Sequence, residues 1–161
     1  MKNLKYLILA IVTFSIDMWQ KKAVEKWVSL HGREECAPVK GRYFTRHKRH
    51  NRGLAMNIAS AHQKRIAAVS FVTTAALAIN YLFSLKKTDS PLLKTGLSLQ
   101  LGGACSNTYD RVKRGYVVDY FSINVPGKLG KIVFNIADMA ILAGSFLAIL
   151  DAFIRRKGVN P

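Results

Sequence analysis

Four apolar stretches alternate along the chain with segments dense in Lys and Arg. The first, 6–16, follows Lys2 and Lys5 and runs into Asp17-Met18-Trp19-Gln20-Lys21, not into a small-x-small cleavage site. It therefore reads as a retained helix and not as a removed leader. Its uninterrupted apolar length falls short of the roughly 20 residues that cross a bilayer, so the predicted span is extended to 4–20, with Trp19 near an interface. The second, 66–85, is the clearest: Ala, Val, Phe, Leu and Ile fill it, and Lys64-Arg65 and Lys86-Lys87 bracket it. A turn at Thr88-Asp89-Ser90-Pro91 leads to a third and more polar span, 92–109, whose Gly96, Gly102 and Gly103 suit close helix packing. The fourth, 131–153, stops before Arg155-Arg156-Lys157. The pattern predicts an all-α membrane protein: one integral domain over 1–161, four transmembrane helices, both termini on one side.

The connection 22–65 is too rich in Lys and Arg to lie in lipid but keeps Trp27, Tyr43 and Phe44. It reads as a small extramembrane cap on the headgroups. Alternation around 39–45 admits a short strand pair as readily as a solvated loop.

Charge sharpens this picture. The net charge is +16, yet 66–85 and 132–153 contain no Lys or Arg. Basic residues that interrupt spans, instead of sharing a face with stacking aromatics, point to anionic lipid and away from nucleic acid. Most of the 25 Lys and Arg lie on the side away from the termini, so a plain positive-inside count puts the termini outside; the long first connection, folding as a unit, would escape that rule. Cys36 and Cys105 have no metal or redox spacing, and His47 and His50 sit in the basic run 46–52, where solvation or headgroup contact is the expected role. No metal and no cofactor are expected.

Two carboxylates stand out against this background. Asp119 lies in Tyr116-Val117-Val118-Asp119-Tyr120-Phe121 and Asp138 in Phe134-Asn135-Ile136-Ala137-Asp138-Met139, both otherwise apolar. A carboxylate at bilayer depth costs roughly 2.5–3.5 kcal/mol, so it persists only with a partner, a wet cavity or a function. Pro126, Gly127 and Gly130 between them suit a turn that returns the chain and lets the two meet. At close range only one ionises readily, and the pair titrates as a unit. That is the state an aspartyl hydrolase uses, one carboxylate activating water while its protonated partner holds the carbonyl oxygen. Asp110-Arg111 reads as a structural or headgroup-facing ion pair.

The stretch Gly102-Gly103-Ala104-Cys105-Ser106-Asn107-Thr108-Tyr109-Asp110-Arg111, followed by Gly115-Tyr116-Val117-Val118-Asp119-Tyr120, resembles the GGAxGNxxDRxxxGxVVDF signature of signal peptidase II. Phe134-Asn135-Ile136-Ala137-Asp138 resembles that family's FNxAD box, Asp17 with Lys21 its DxxxK, and Asn51-Arg52-Gly53-Leu54-Ala55-Met56 its NxGxAF. The resemblance implies an intramembrane aspartyl endopeptidase that removes the signal peptide from diacylglyceryl-modified prolipoproteins, cutting before the lipidated cysteine. Asp119 and Asp138 would be the catalytic pair. Asn51, Gly53, Asn107, Arg111 and Asn135 would position substrate or brace the pair, and Asp17 and Lys21 would support the site near the membrane surface. It further implies a multi-pass protein of the bacterial cytoplasmic membrane with cytoplasmic termini, an extracytoplasmic cap and a site toward the outer face. The expected partners are the lipidated prolipoprotein and membrane lipids, with no nucleic acid, and a monomer is expected. Ser106 stands where the family usually has glycine, Met56 and Tyr120 where it has phenylalanine, and the usual tryptophan-proline before the FNxAD box is missing. The rival reading is a non-enzymatic four-helix module, using the two aspartates in proton-coupled transport or binding lipoprotein precursors without cutting them.

Overall fold

The structure, a computed structural model, describes residues 3–31, 39–40, 43–53, 62–86, 90–127, 130 and 132–158. Cys36 and Met56 lie outside the described residues, as does most of the connection on either side of 43–53. Four helices, α1 (Leu4–His31), α2 (Gln63–Lys86), α3 (Pro91–Lys113) and α4 (Ile136–Gly158), carry most of the chain. Three strands, β1 (Val39–Lys40), β2 (Phe44–Asn51) and β3 (Val117–Ile123), form one antiparallel sheet in the order β1-β2-β3.

Helix α3 is the hub, packing against α1, α2 and α4. Its glycines are why the neighbours come so close. A Cβ at Gly102 would lie 2.5 Å from the Ala10 carbonyl oxygen of α1, and one at Gly103 would lie 2.5 Å from the Ala137 carbonyl oxygen of α4. Gly96 and Gly144 make a similar backbone-to-backbone contact further along α3 and α4. Without a hydrophobic force between helices in lipid, such small-residue contacts are a main source of helix association.

Polarity is inverted relative to a water-soluble fold. Val69, Phe71, Val72, Leu82 and Phe83 of α2, and Leu142, Phe146, Ile149 and Phe153 of α4, face outward. Asp17, Lys21, Ser98, Ser106, Asp110 and Asn135 are fully buried. Helices α2 and α4 are long and apolar enough to cross a membrane. Leu4, Leu7, Ile8, Ile11 and Val12 give α1 an exposed apolar face as well, while α3, which holds Ser98, Ser106, Asn107 and Asp110 buried, has the lowest mean hydropathy of the four helices.

The expected all-α fold allows short strands only in the connection between the first two helices, and β3 extends the sheet beyond it. The apolar run around Asp119 is a strand of the cap sheet, paired with β2 so that Arg49 opposes Asp119 and Asn51 opposes Val117. The sheet is therefore built from both the first and the last connection, not from residues between the first two helices alone. Seven residues rich in Val, Tyr and Phe suit a strand, here mostly buried, and are too few to cross a bilayer as a helix.

Candidate active site

Chain reversal after β3 brings the two aspartates together. Beyond Gly127, which has φ +85, the chain returns so that Phe134 bridges Phe121. The Phe134 N–H donates to the Phe121 carbonyl at 2.7 Å, and the Tyr120 and Phe121 N–H groups donate back to the Phe134 carbonyl at 2.9 and 3.1 Å. This pairing fixes Asn135, the next residue, beside Asp119 on β3 and at the start of α4, whose first turn carries Asp138.

Asn135 then touches both carboxylates. Its Nδ2 donates to Asp119 Oδ1 at 2.9 Å, and its backbone N–H donates to Asp138 Oδ2 at 3.2 Å. In return its Oδ1 accepts the Asp138 N–H at 2.8 Å, an N-cap bond that satisfies an otherwise orphaned donor of α4. Each aspartate has a second amide donor: Asn51 Nδ2 to Asp119 Oδ2 at 3.1 Å, and Asn107 Nδ2 to Asp138 Oδ1 at 2.8 Å. Gly53 closes this edge, its N–H donating to Asn51 Oδ1 at 3.1 Å while its carbonyl meets Arg111 Nη2 at 3.5 Å. The Arg111 Nε is buried and has no hydrogen-bond partner among the described residues.

Asp119, in the strand outside the helices, is only 3 % exposed. Burial, and then the neighbouring charge of Asp138, push its carboxyl up to about 7, against the opposing pull of the Asn51 amide, Lys21 and Asn135. At neutral pH such a carboxyl keeps its proton about half of the time, where an ordinary aspartate has lost it. Amide side chains surround the pair with donors and add no charge of their own.

Behind Asn107 lies a buried ionic cluster. Lys21 Nζ is 2.7 Å from Asp17 Oδ2, 3.0 Å from Asp110 Oδ2, 2.9 Å from Asn107 Oδ1 and 3.2 Å from Ser106 Oγ. Asp17 and Lys21 are spaced i,i+4 on α1, so one helix face presents both. Asn107 links the cluster to the site: it accepts from Lys21 and donates to Asp138.

All nine residues singled out by the sequence thus fall into one connected network. Three others were missed in that role. Asp110, expected to pair with Arg111, instead binds Lys21 and Arg114 and accepts the Val118 N–H at 3.3 Å; its i,i+4 spacing to Arg114 was the available signal. Ser106 and Tyr120 both reach Asp17. The histidines are also more engaged than a solvated run suggests. His50 meets Glu25 Oε1 at 2.8 Å and stacks on Tyr116, and His47 meets Ser122 Oγ at 2.7 Å. Among the described residues no group of three or more His, Cys, Asp or Glu is placed to hold a metal ion.

Known proteins are similar to this chain in sequence and in fold. The sequence matches the family described as signal peptidase (SPase) II over residues 9–154. A lipoprotein signal peptidase of Moorella thermoacetica is 33% identical over 139 residues, covering 86% of each chain. One of Ectopseudomonas mendocina is 30% identical over 161 residues, covering 98% of this chain and 93% of that protein. A bacterial membrane enzyme solved by the in meso method at 2.3 Å superposes with a TM-score of 0.78 over 97% of this chain and 92% of its own, at 23% identity, and so shares the fold. With this match along its length and its apolar exterior, the chain is an integral membrane protein belonging to the signal peptidase II family.

Proposed function

We propose that the chain is an aspartyl endopeptidase that removes the signal peptide from diacylglyceryl-modified prolipoproteins, cutting before the lipidated cysteine. The observation that carries the aspartyl assignment is the one residue Asn135 tied to both carboxylates, its side-chain amide donating to Asp119 and its backbone N–H to Asp138. Two carboxylates tied to one residue, and near enough that the charge of Asp138 raises Asp119, share one proton. The ionised carboxylate takes a proton from a water as it attacks the scissile carbonyl, and the protonated partner donates to the carbonyl oxygen as charge develops there. Proton transfer to the departing amine completes the cut.

The remaining roles follow from the same geometry. Asn51, Asn107 and Asn135 orient the carboxylates, and the free Arg111 Nε offers a donor to the substrate backbone or to a lipid phosphate. The reading includes four bilayer crossings with cytoplasmic termini, the sheet on the outer face, lipid on all sides, and a monomer that works without a cofactor.

The test is cleavage of a diacylglyceryl prolipoprotein in detergent micelles by the wild type, Asp119→Asn and Asp138→Asn. The wild type is expected to cut and each variant to lose at least a thousandfold in kcat, the scale on which general acid and base groups matter. Cleavage retained by either folded variant overturns the pair, and proton-coupled transport without cleavage in reconstituted vesicles would establish the non-enzymatic alternative.

A further inference from the structure

Ser106 and Tyr120 depart from the pattern the family usually shows, glycine and phenylalanine, and each adds one hydroxyl. Both hydroxyls converge on the same carboxylate. Ser106 Oγ donates to Asp17 Oδ2 at 2.6 Å, and the Tyr120 hydroxyl donates to Asp17 Oδ1 at 3.0 Å. Asp17 completes its set with Lys21 Nζ on Oδ2 at 2.7 Å and the Ala137 N–H on Oδ1 at 3.1 Å. A carboxylate offers about four acceptor positions, so Asp17 is saturated, two of its bonds coming from these hydroxyls.

The far end of this network is the start of α4. Ala137 N–H goes to Asp17, and Ile136 N–H donates to the Tyr120 hydroxyl at 3.0 Å. With Asn135 accepting the Asp138 N–H, the first donors of α4 are met by side chains from α1, β3 and the residue before the helix. A buried anion at this end also matches the positive pole of the helix. Asp17 and Ser106 are fully buried and Tyr120 is 8% exposed, so bulk water does not readily replace a lost hydroxyl.

We propose that Ser106 and Tyr120 are positioning residues of this protein, clamping Asp17 against the first turn of α4 and so fixing Asp138 relative to Asp119. Tyr120 is the stronger member, because it alone bonds both Asp17 and the α4 backbone. Ser106 acts at one remove, holding Asp17 and Lys21 in the orientation in which Lys21 reaches Asn107 and Asn107 reaches Asp138. The inference rests on Asp119 and Asp138 being the reacting pair, and it adds that their spacing is set here by two hydroxyls the family pattern lacks.

The experiment is steady-state cleavage of a diacylglyceryl prolipoprotein by the wild type, Tyr120→Phe, Ser106→Gly, Ser106→Ala and the Tyr120→Phe/Ser106→Gly double variant, with thermal unfolding recorded for each. Tyr120→Phe is expected to lower kcat about tenfold, as a small displacement of a reacting group does, and to leave KM within about twofold. Ser106→Gly and Ser106→Ala are expected to lower kcat alike and by less. Because both hydroxyls act through Asp17, the double variant is expected to lose less than the product of the two single losses. Wild-type kcat in folded Tyr120→Phe overturns the inference, as does a rise in KM at constant kcat. Losses that multiply in the double variant overturn the shared route through Asp17. If Asp119→Asn and Asp138→Asn are inactive while the hydroxyl variants behave as wild type, this inference alone fails; if the aspartate variants are active, the reading beneath it fails.

Discussion

Lys21 is a cation with no exposed surface between two carboxylates that have none either. Taking one member from a buried ion network leaves its partners uncompensated, which costs about 3–5 kcal/mol. Lys21→Met should therefore lower the unfolding midpoint in detergent far more than a lysine substitution at exposed Lys22, and a comparable midpoint for the two would refute the role given to the cluster. Asn135→Ala removes the amide that spans both aspartates. Its kcat is expected to drop roughly a hundredfold, the scale of an ångström-sized misplacement, with the fold retained. Asp119 adds a pH signature. Its carboxyl moves from 3.8 when unfolded to about 7 when folded, so between those values the folded state binds more protons than the unfolded one. Stability on this account falls as pH rises from about 4 to 7 and is level above that. Relative to the wild type, Asp119→Asn should gain in unfolding midpoint between pH 4 and pH 8; a constant difference would show that the carboxyl is not held protonated. Charges inside apolar runs made Asp119 and Asp138 legible in the sequence, since that placement is expensive. Nothing comparable marked Ser106 or Tyr120, because the value of a hydroxyl depends on what it faces.

At the level of elements, the first turn of α4 is held from three directions: by α1 through Asp17, by β3 through Tyr120 and Phe134, and by α3 through Gly103. The last contact has no slack. A methyl at Gly103 meets the Ala137 carbonyl, so Gly103→Ala must push α4 away at a cost of about 1–3 kcal/mol. The expected result is a lower unfolding midpoint together with lower kcat, whereas Gly127→Ala, whose added methyl meets no atom of the described residues within 4 Å, should show only the modest strain of its positive φ. Equal behaviour of the two would argue against close α3–α4 packing as what places Asp138. The helices were legible from uninterrupted apolar runs between basic brackets. Strand β3 was not, because a short apolar run around one aspartate fits a buried strand as well as part of a helix, and only its pairing with β2 and Phe134 decides. The histidines were misjudged for the same reason. The Glu25 carboxylate that His50 meets, and that Lys48 approaches at 3.2 Å, comes from α1, far away in sequence.

Across the whole molecule, large apolar side chains of the helices face out while Asp17, Lys21 and Asp110 face in, the arrangement expected where lipid replaces water as the surrounding solvent. Phe146 on α4 is 65% exposed, so an arginine there faces hydrocarbon at a cost of about 2.5–3.5 kcal/mol. Phe146→Arg should reduce the membrane-integrated fraction in cells while Phe146→Ala should not, and equal integration would count against α4 as a span. Depth along the same helix has a final consequence. From Asp138 to Ile154, the last apolar residue before Arg155, α4 rises roughly 24 Å at 1.5 Å per residue, most of the hydrocarbon thickness. On the function proposed above, Asp138 then lies near an edge of the hydrocarbon. A hydrolase buried midway would need a conduit for its second substrate, whereas on this reading that reactant comes from the adjoining aqueous phase and the peptide segment to be cut must rise to meet it.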